Sequence, residues 1–141
     1  RISDVMANTM TGLRPALRNL LVYRARFAAR FQTGLILAGL RLQRESMGMV
    51  PVDLGPLKAS AYMRSVGSGF GTSVYVGYTA AYAMFVHEKV GMVLKGQPRR
   101  KPSKGNYWDP QPQASAKFLE IPLNDLRKEL KGLLQTSMIL P

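Results

Sequence analysis

Residues 50–60 read Val50-Pro51-Val52-Asp53-Leu54-Gly55-Pro56-Leu57-Lys58-Ala59-Ser60, and the architecture turns on them. Pro51 fixes its own φ and pushes Val50 toward extended geometry, so a helix arriving from the N-terminal side stops here. Asp53 has the side chain to bond the backbone just ahead of it in an Asx-type turn, and Gly55 takes a positive φ that Leu54 cannot take cheaply. Leu57 then returns the chain to the core. The stretch is a helix-to-sheet corner with Pro51, Asp53 and Gly55 as its structural residues, and no catalytic group sits in it.

Downstream the pattern changes to period two. Ala61–Val66 and Thr72–Tyr78 read as two strands joined by a Gly67-Ser68-Gly69 turn. Val74, Val76 and Tyr78 point one way and Ser73, Tyr75 and Gly77 the other, while Tyr62, Arg64 and Val66 oppose Ala61, Met63 and Ser65. This predicts an antiparallel sheet with one covered face. Tyr82, Phe85 and Val86 stand at i, i+3, i+4, the spacing of a short helix packed on that sheet; continuation as a strand is the alternative.

Upstream, residues 23–47 read as the main helix. At 100° per residue, Phe27, Phe31, Leu35, Ala38 and Leu42 fall within an arc of roughly 80°, a core-facing stripe. Arg26, Arg30, Arg41 and Arg44 fall within an adjacent arc of roughly 60°. Four guanidiniums on one face suit phosphates or carboxylates, which they bind through paired donors; a solvated helix face is the plainer reading. Gly34 and Gly39 cost roughly 1 kcal/mol each against Ala and point to close helix–sheet or subunit contact. Gly48 reads as the helix C-terminal cap. In residues 1–22, Ile2, Val5, Met6, Leu13, Leu17, Leu20 and Leu21 have helical spacing, and Gly12 and Pro15 predict two short pieces rather than one helix. This arm either lies on a neighbour or is a loosely packed terminus.

Residues 89–115 are different in kind. Lys95, Arg99, Arg100, Lys101 and Lys104 stand among Gly91, Gly96, Pro98, Pro102, Gly105, Pro110 and Pro112, which predicts a long projecting loop or hairpin. Tyr107 and Trp108 add stacking groups to the phosphate-neutralising tip. Subunit or partner contact ranks first as its role, DNA contact second, idle surface third. In the closing element, Lys117-Phe118-Leu119-Glu120 is a short strand or helical turn, and Pro122 suits the first turn of a helix. Leu119, Leu123, Leu126, Leu130, Leu133 and Leu134 form its apolar stripe, with Arg127, Lys128 and Lys131 largely opposite. The sheet and main helix are its expected partners, with a short leucine zipper as the rival. The apolar tail Met138-Ile139-Leu140-Pro141 needs a neighbour to cover it.

His87 is the only histidine and sits beside Glu88. One His and one Glu are too few ligands for a metal site, and no nucleophile in a recognisable setting accompanies them. The pair reads as a helix terminus making local hydrogen bonds, so no cofactor and no enzymatic role are assigned.

The whole chain has 141 residues, 46% hydrophobic and 20% charged, which predicts one globular domain of 1–141 with residues 1–22 as an arm and 89–115 as a projecting basic loop. It lacks Cys, so no disulfide framework exists. No run of eighteen apolar residues or signal-peptide pattern appears, which predicts an intracellular product with no membrane partner, and the leading Arg predicts a trimmed or processed start. Twenty basic residues face eight acidic ones, for a net charge of +12. That balance favours an anionic partner, nucleic acid or an acidic protein surface, with a merely solubilising surface as the alternative.

Pro-Val-Asp-x-Gly-x-Leu-x-x-Ser at 51–60, the hairpin ending Val-x-Val-Gly, Tyr-Ala-x-x-Val-His-Glu at 82–88 and Lys117-Phe118-Leu119-Glu120 occur in order. The series, from about residue 35 to about 135, resembles the small head–tail connector (tail-completion, minor tail component) family of tailed bacteriophages. Leu54 stands where that family usually has Thr, and Pro56 where it often has a basic or small residue. The elements together predict an α+β fold: a long helix and a C-terminal helix packed on a small antiparallel sheet, with a basic projecting loop. The resemblance implies a non-enzymatic virion protein of the neck or tail region, assembled in the host cytoplasm. Copies would form a homo-oligomeric ring around the DNA path, joining the portal–capsid side to the tail, with portal/head-completion or tail-tube/tail-terminator proteins as partners. The basic helix face and residues 95–108 are then candidates for interface or DNA-lumen contacts. The alternative reading is a non-specific nucleic-acid-binding protein.

Overall fold

Because Pro51 has no N–H to offer the carbonyl of Met47, the helix that arrives at the corner ends at Met49. The computed structural model describes residues 2–52, 55–90 and 114–139. Helix α1 spans Ile2–Met49, the short α2 spans Pro56–Ala59, and strands β1 (Ala61–Val66) and β2 (Ser73–Tyr78) follow with a 3-10 turn at Gly69–Gly71 between them. Helices α3 (Ala83–Glu88) and α4 (Glu120–Ile139) complete the described elements. The architecture is α+β, with a long N-terminal helix, a C-terminal helix and a two-stranded antiparallel sheet.

The corner folds for the reasons its residues supply. Gly55 has φ 91°, in the left-handed region, and Pro56 begins α2 with its fixed φ. Leu57 is buried. Asp53 lies outside the described residues. The hairpin has the expected register, Ala61 opposite Tyr78 and Met63 opposite Val76. Its inner face carries Met63, Val74, Val76 and Tyr78, partly covered by α1, while Tyr62, Arg64, Val66 and Tyr75 stay exposed. Gly39 explains how closely α1 lies on β2: a Cβ there would collide with Cγ1 of Val74.

Two small apolar clusters hold the layers. Ala38, Leu42 and Leu126 join α1 to α4, with Val76, Leu130 and Leu133 against them. Val50, Leu57 and Phe118 form the second, at the corner, with Tyr78, Ala83 and Val86 around it. The amide of Ser115 donates to the carbonyl of Met49 at 3.0 Å, which caps α1 and starts the chain back along it. Helix α4 therefore runs antiparallel to α1, with Glu129 beside Arg41.

Several expectations are corrected. The expected two short pieces in residues 1–22 are not seen; from Ile2 on, the main helix is one element through Pro15. A single proline removes one hydrogen bond, and here the flanking residues are good helix formers on an exposed rod, so the helix survives it. Gly48 does not cap; it lies inside α1, and Val50 still donates to Ser46 at 3.0 Å. Phe27 is not core-facing but 46% exposed; among the described residues the hairpin turn meets α1 at Ala28, beneath Gly69. Phe85 and Tyr82 do not pack on the sheet; Phe85 is 69% exposed, and Ala83 and Val86 turn inward instead. Leu123 leaves the stripe of α4 and is half exposed. Pro122 is fully buried in the first turn of α4, as its type predicts.

Candidate functional site

Three surfaces carry the functional candidates. The first is the arginine face of α1. It does not act as one face. Arg41 is engaged: its Nε meets Oε1 of Glu45 at 2.7 Å, and its Nη1 meets Oε2 of Glu129 at 2.7 Å. The bond to Glu45, then that to Glu129, raises the guanidinium above its ordinary value. Arg41 ties α1 to α4 and is withdrawn from the set of phosphate-binding candidates. Arg26 is exposed on the free part of α1 and Arg30 is half-buried near the hairpin turn. Arg44 shares a shallow depression of about 400 Å³ with Lys58, Gln43 and Met47.

The second is the column of side chains behind the corner. The hydroxyls of Ser46 and Tyr78 share a hydrogen bond of 2.7 Å. The Tyr78 ring meets Phe118 edge-on at 5.1 Å, and Phe118 meets His87 edge-on at 5.0 Å. Nδ1 of His87 bonds Oε1 of Glu88 at 2.8 Å, and Nζ of Lys117 reaches Oε2 of the same carboxylate at 2.6 Å. Lys117 also reaches Glu120 at 3.2 Å. Its own backbone is left-handed, with φ 59°, and its amide donates to the carbonyl of His87 at 2.8 Å. The column links α1, β2, α3 and the start of α4. Burial pushes the Tyr78 phenol up, against the opposing effect of Ser46. Lys117 first, and His87 second, hold Glu88 below the usual carboxylate range. His87 and Glu88 are thus a local helix-terminal pair, as their adjacency predicts. Nε2 of His87, however, is buried with no hydrogen-bond partner among the described residues. The residue lines an apolar groove of about 410 Å³ between α3 and α4, with Met84, Phe118, Leu119 and Leu123, edged by Glu88 and Glu120.

The third is the bare part of α1. From Gly12 to Phe27 every residue is exposed, including Leu13, Leu17, Leu20, Leu21 and Tyr23. On the helical wheel Leu13, Leu17, Leu20 and Phe27 lie within about 80° of one another, in line with Phe31 and Leu42 further along. The face that covers the sheet and α4 in the lower part of α1 therefore runs on with none of the described residues beneath it. Sequence periodicity identifies the stripe but not the level at which its cover stops.

Lys95, Arg99, Arg100, Lys101, Lys104, Tyr107 and Trp108 lie outside the described residues. Among the described residues no group of three His, Cys, Asp or Glu is arranged to hold a metal, and no helix is long and apolar enough to cross a membrane. Comparisons with family models, with curated proteins and with solved structures find no match to this chain.

Proposed function

We propose that this chain is a structural subunit of a phage neck, assembling as a homo-oligomeric ring around the DNA path between the portal side of the capsid and the tail. The observation that carries the reading is the uncovered arm of α1. An apolar stripe that serves as core in one half of a helix, and is exposed in the other, offers a docking surface to another chain. The ordered series of the corner, the hairpin, Tyr82–Glu88 and Lys117–Glu120 supports the connector class through its resemblance to that family. The charge of +12 fits a subunit that faces packaged DNA or meets acidic neighbours. The work of such a subunit is assembly through complementary surfaces, with no catalytic step. The test is complementation in vitro. Purified protein added to a lysate of phage lacking this gene should raise the infective titre by orders of magnitude. No rise, with heads and tails both present, overturns the proposal.

The second reading, non-specific nucleic-acid binding, is favoured by the same charge and by an arm with Arg14, Arg18, Arg24 and Arg26 and no acidic residue from Gly12 to Arg44. A salt titration of duplex binding separates the two. Useful affinity near physiological salt with a steep logarithmic slope supports binding as the primary role.

A further inference from the structure

We propose that the bare arm of α1, residues 12–27, seats in the groove between α3 and α4 of a second copy of this chain. The inference rests on the homo-oligomeric reading above and assigns the two halves of its joint. The arm cannot fill its own groove. Helix α1 is continuous from Ile2 to Met49, so residue 20 stands about 45 Å along the axis from residue 50, beside which the groove opens. A rod of this kind delivers its end only to another molecule.

The chemistry of the two surfaces matches. The groove offers apolar walls, with Met84 75% and Leu123 49% exposed. The arm offers Leu13, Leu17 and Leu20 on one face. At the rim, Glu88 and Glu120 share the single ammonium of Lys117, at 2.6 and 3.2 Å, which leaves net negative charge there. The arm is wholly basic in its charged residues. An acidic-edged apolar groove is suited to a basic amphipathic helix.

The arm and the groove are different surfaces at opposite ends of α1, so the contact is heterologous. Such a contact closes into a ring or propagates as a filament, and does not stop at a two-fold dimer. This gives a discriminating test by mixing. One variant carries Leu17→Asp and Leu20→Asp in the arm; the other carries Met84→Asp and Leu123→Asp in the groove. All four side chains are exposed, and circular dichroism of each variant checks that it is folded. Mass is read by light scattering at matched concentration. Wild type should be a higher oligomer and each variant alone a monomer. An equimolar mixture retains one intact joint and should give a species of twice the monomer mass and no larger. A mixture that stays monomeric overturns the inference. So does a groove variant that assembles like wild type, which means that arm packs on arm, and so does a wild type that is monomeric throughout. If complementation of the lysate succeeds while mixing gives no dimer, the neck reading stands and this joint is wrong.

Discussion

Replacing Gly39 with Ala should destabilise the protein, although Ala is the better helix former. Two opposed effects meet at this position. Gly-to-Ala inside a helix gains about 1 kcal/mol from propensity. At Gly39 the new methyl would collide with Cγ1 of Val74, with Cγ of Met63 at 3.5 Å and Cβ of Val74 at 3.6 Å leaving little room for retreat. Overpacking of this kind costs about 1–3 kcal/mol, so the net change runs from near zero to a loss of about 2 kcal/mol. Gly48 supplies the control. It lies in the same helix, and nothing stands within 4 Å of a Cβ built there. Gly48→Ala should therefore gain about 0.5–1 kcal/mol. Propensity largely cancels between the two variants, and their difference, about 1–3 kcal/mol, reports the approach of α1 to β2. Urea unfolding at one fixed protein concentration should place their midpoints on the order of 1 M apart. Equal upward shifts in both would refute the close contact of α1 with β2.

Other outcomes follow from the same geometry. Phe118 is 1% exposed and touches both Tyr78 and His87, so Phe118→Ala should cost about 3–5 kcal/mol in chemical denaturation. Phe85→Ala, at a position 69% exposed, should change the stability of the monomer by less than about 0.5 kcal/mol. Tyr78→Phe leaves the buried hydroxyl of Ser46 without its 2.7 Å partner and should cost about 1–3 kcal/mol. Glu88 is held below the usual carboxylate range by Lys117 and His87. Its contribution is therefore present above the ordinary carboxylate pKa and is lost as pH falls through the lowered one. Thermal melts of Glu88→Gln should show a shallower decline on the acid side than wild type, and identical acid limbs would remove the lysine contact from the account.

How much was legible in the sequence depended on how local the cause was. The corner was legible because proline and glycine act on their own backbone: Pro51 ends α1 and Gly55 takes the positive φ. The hairpin was legible because strict alternation over six residues leaves few registers that bury Val74 and Val76. The extent of α1 was not, because the cost of Pro15 is local while the support for a helix is spread along its neighbours. Nor was the bare arm. Leu13, Leu17 and Leu20 carry the same pattern as Ala38 and Leu42, and among the described residues the hairpin and α4 cover the second pair and not the first three. Arg41 looked equivalent to Arg26 and Arg44 because its second partner, Glu129, comes from a helix at the far end of the chain. The column from Ser46 through Tyr78 and Phe118 to His87 was hidden for the same reason. Each member was visible, but the pairing was set by four elements meeting at the corner.

The most direct test of the central claim is electron microscopy of a lysate from phage lacking this gene. The account predicts DNA-filled heads beside complete, detached tails, with joined particles restored when the gene is supplied in trans. Normally joined virions in the absence of the gene would contradict it.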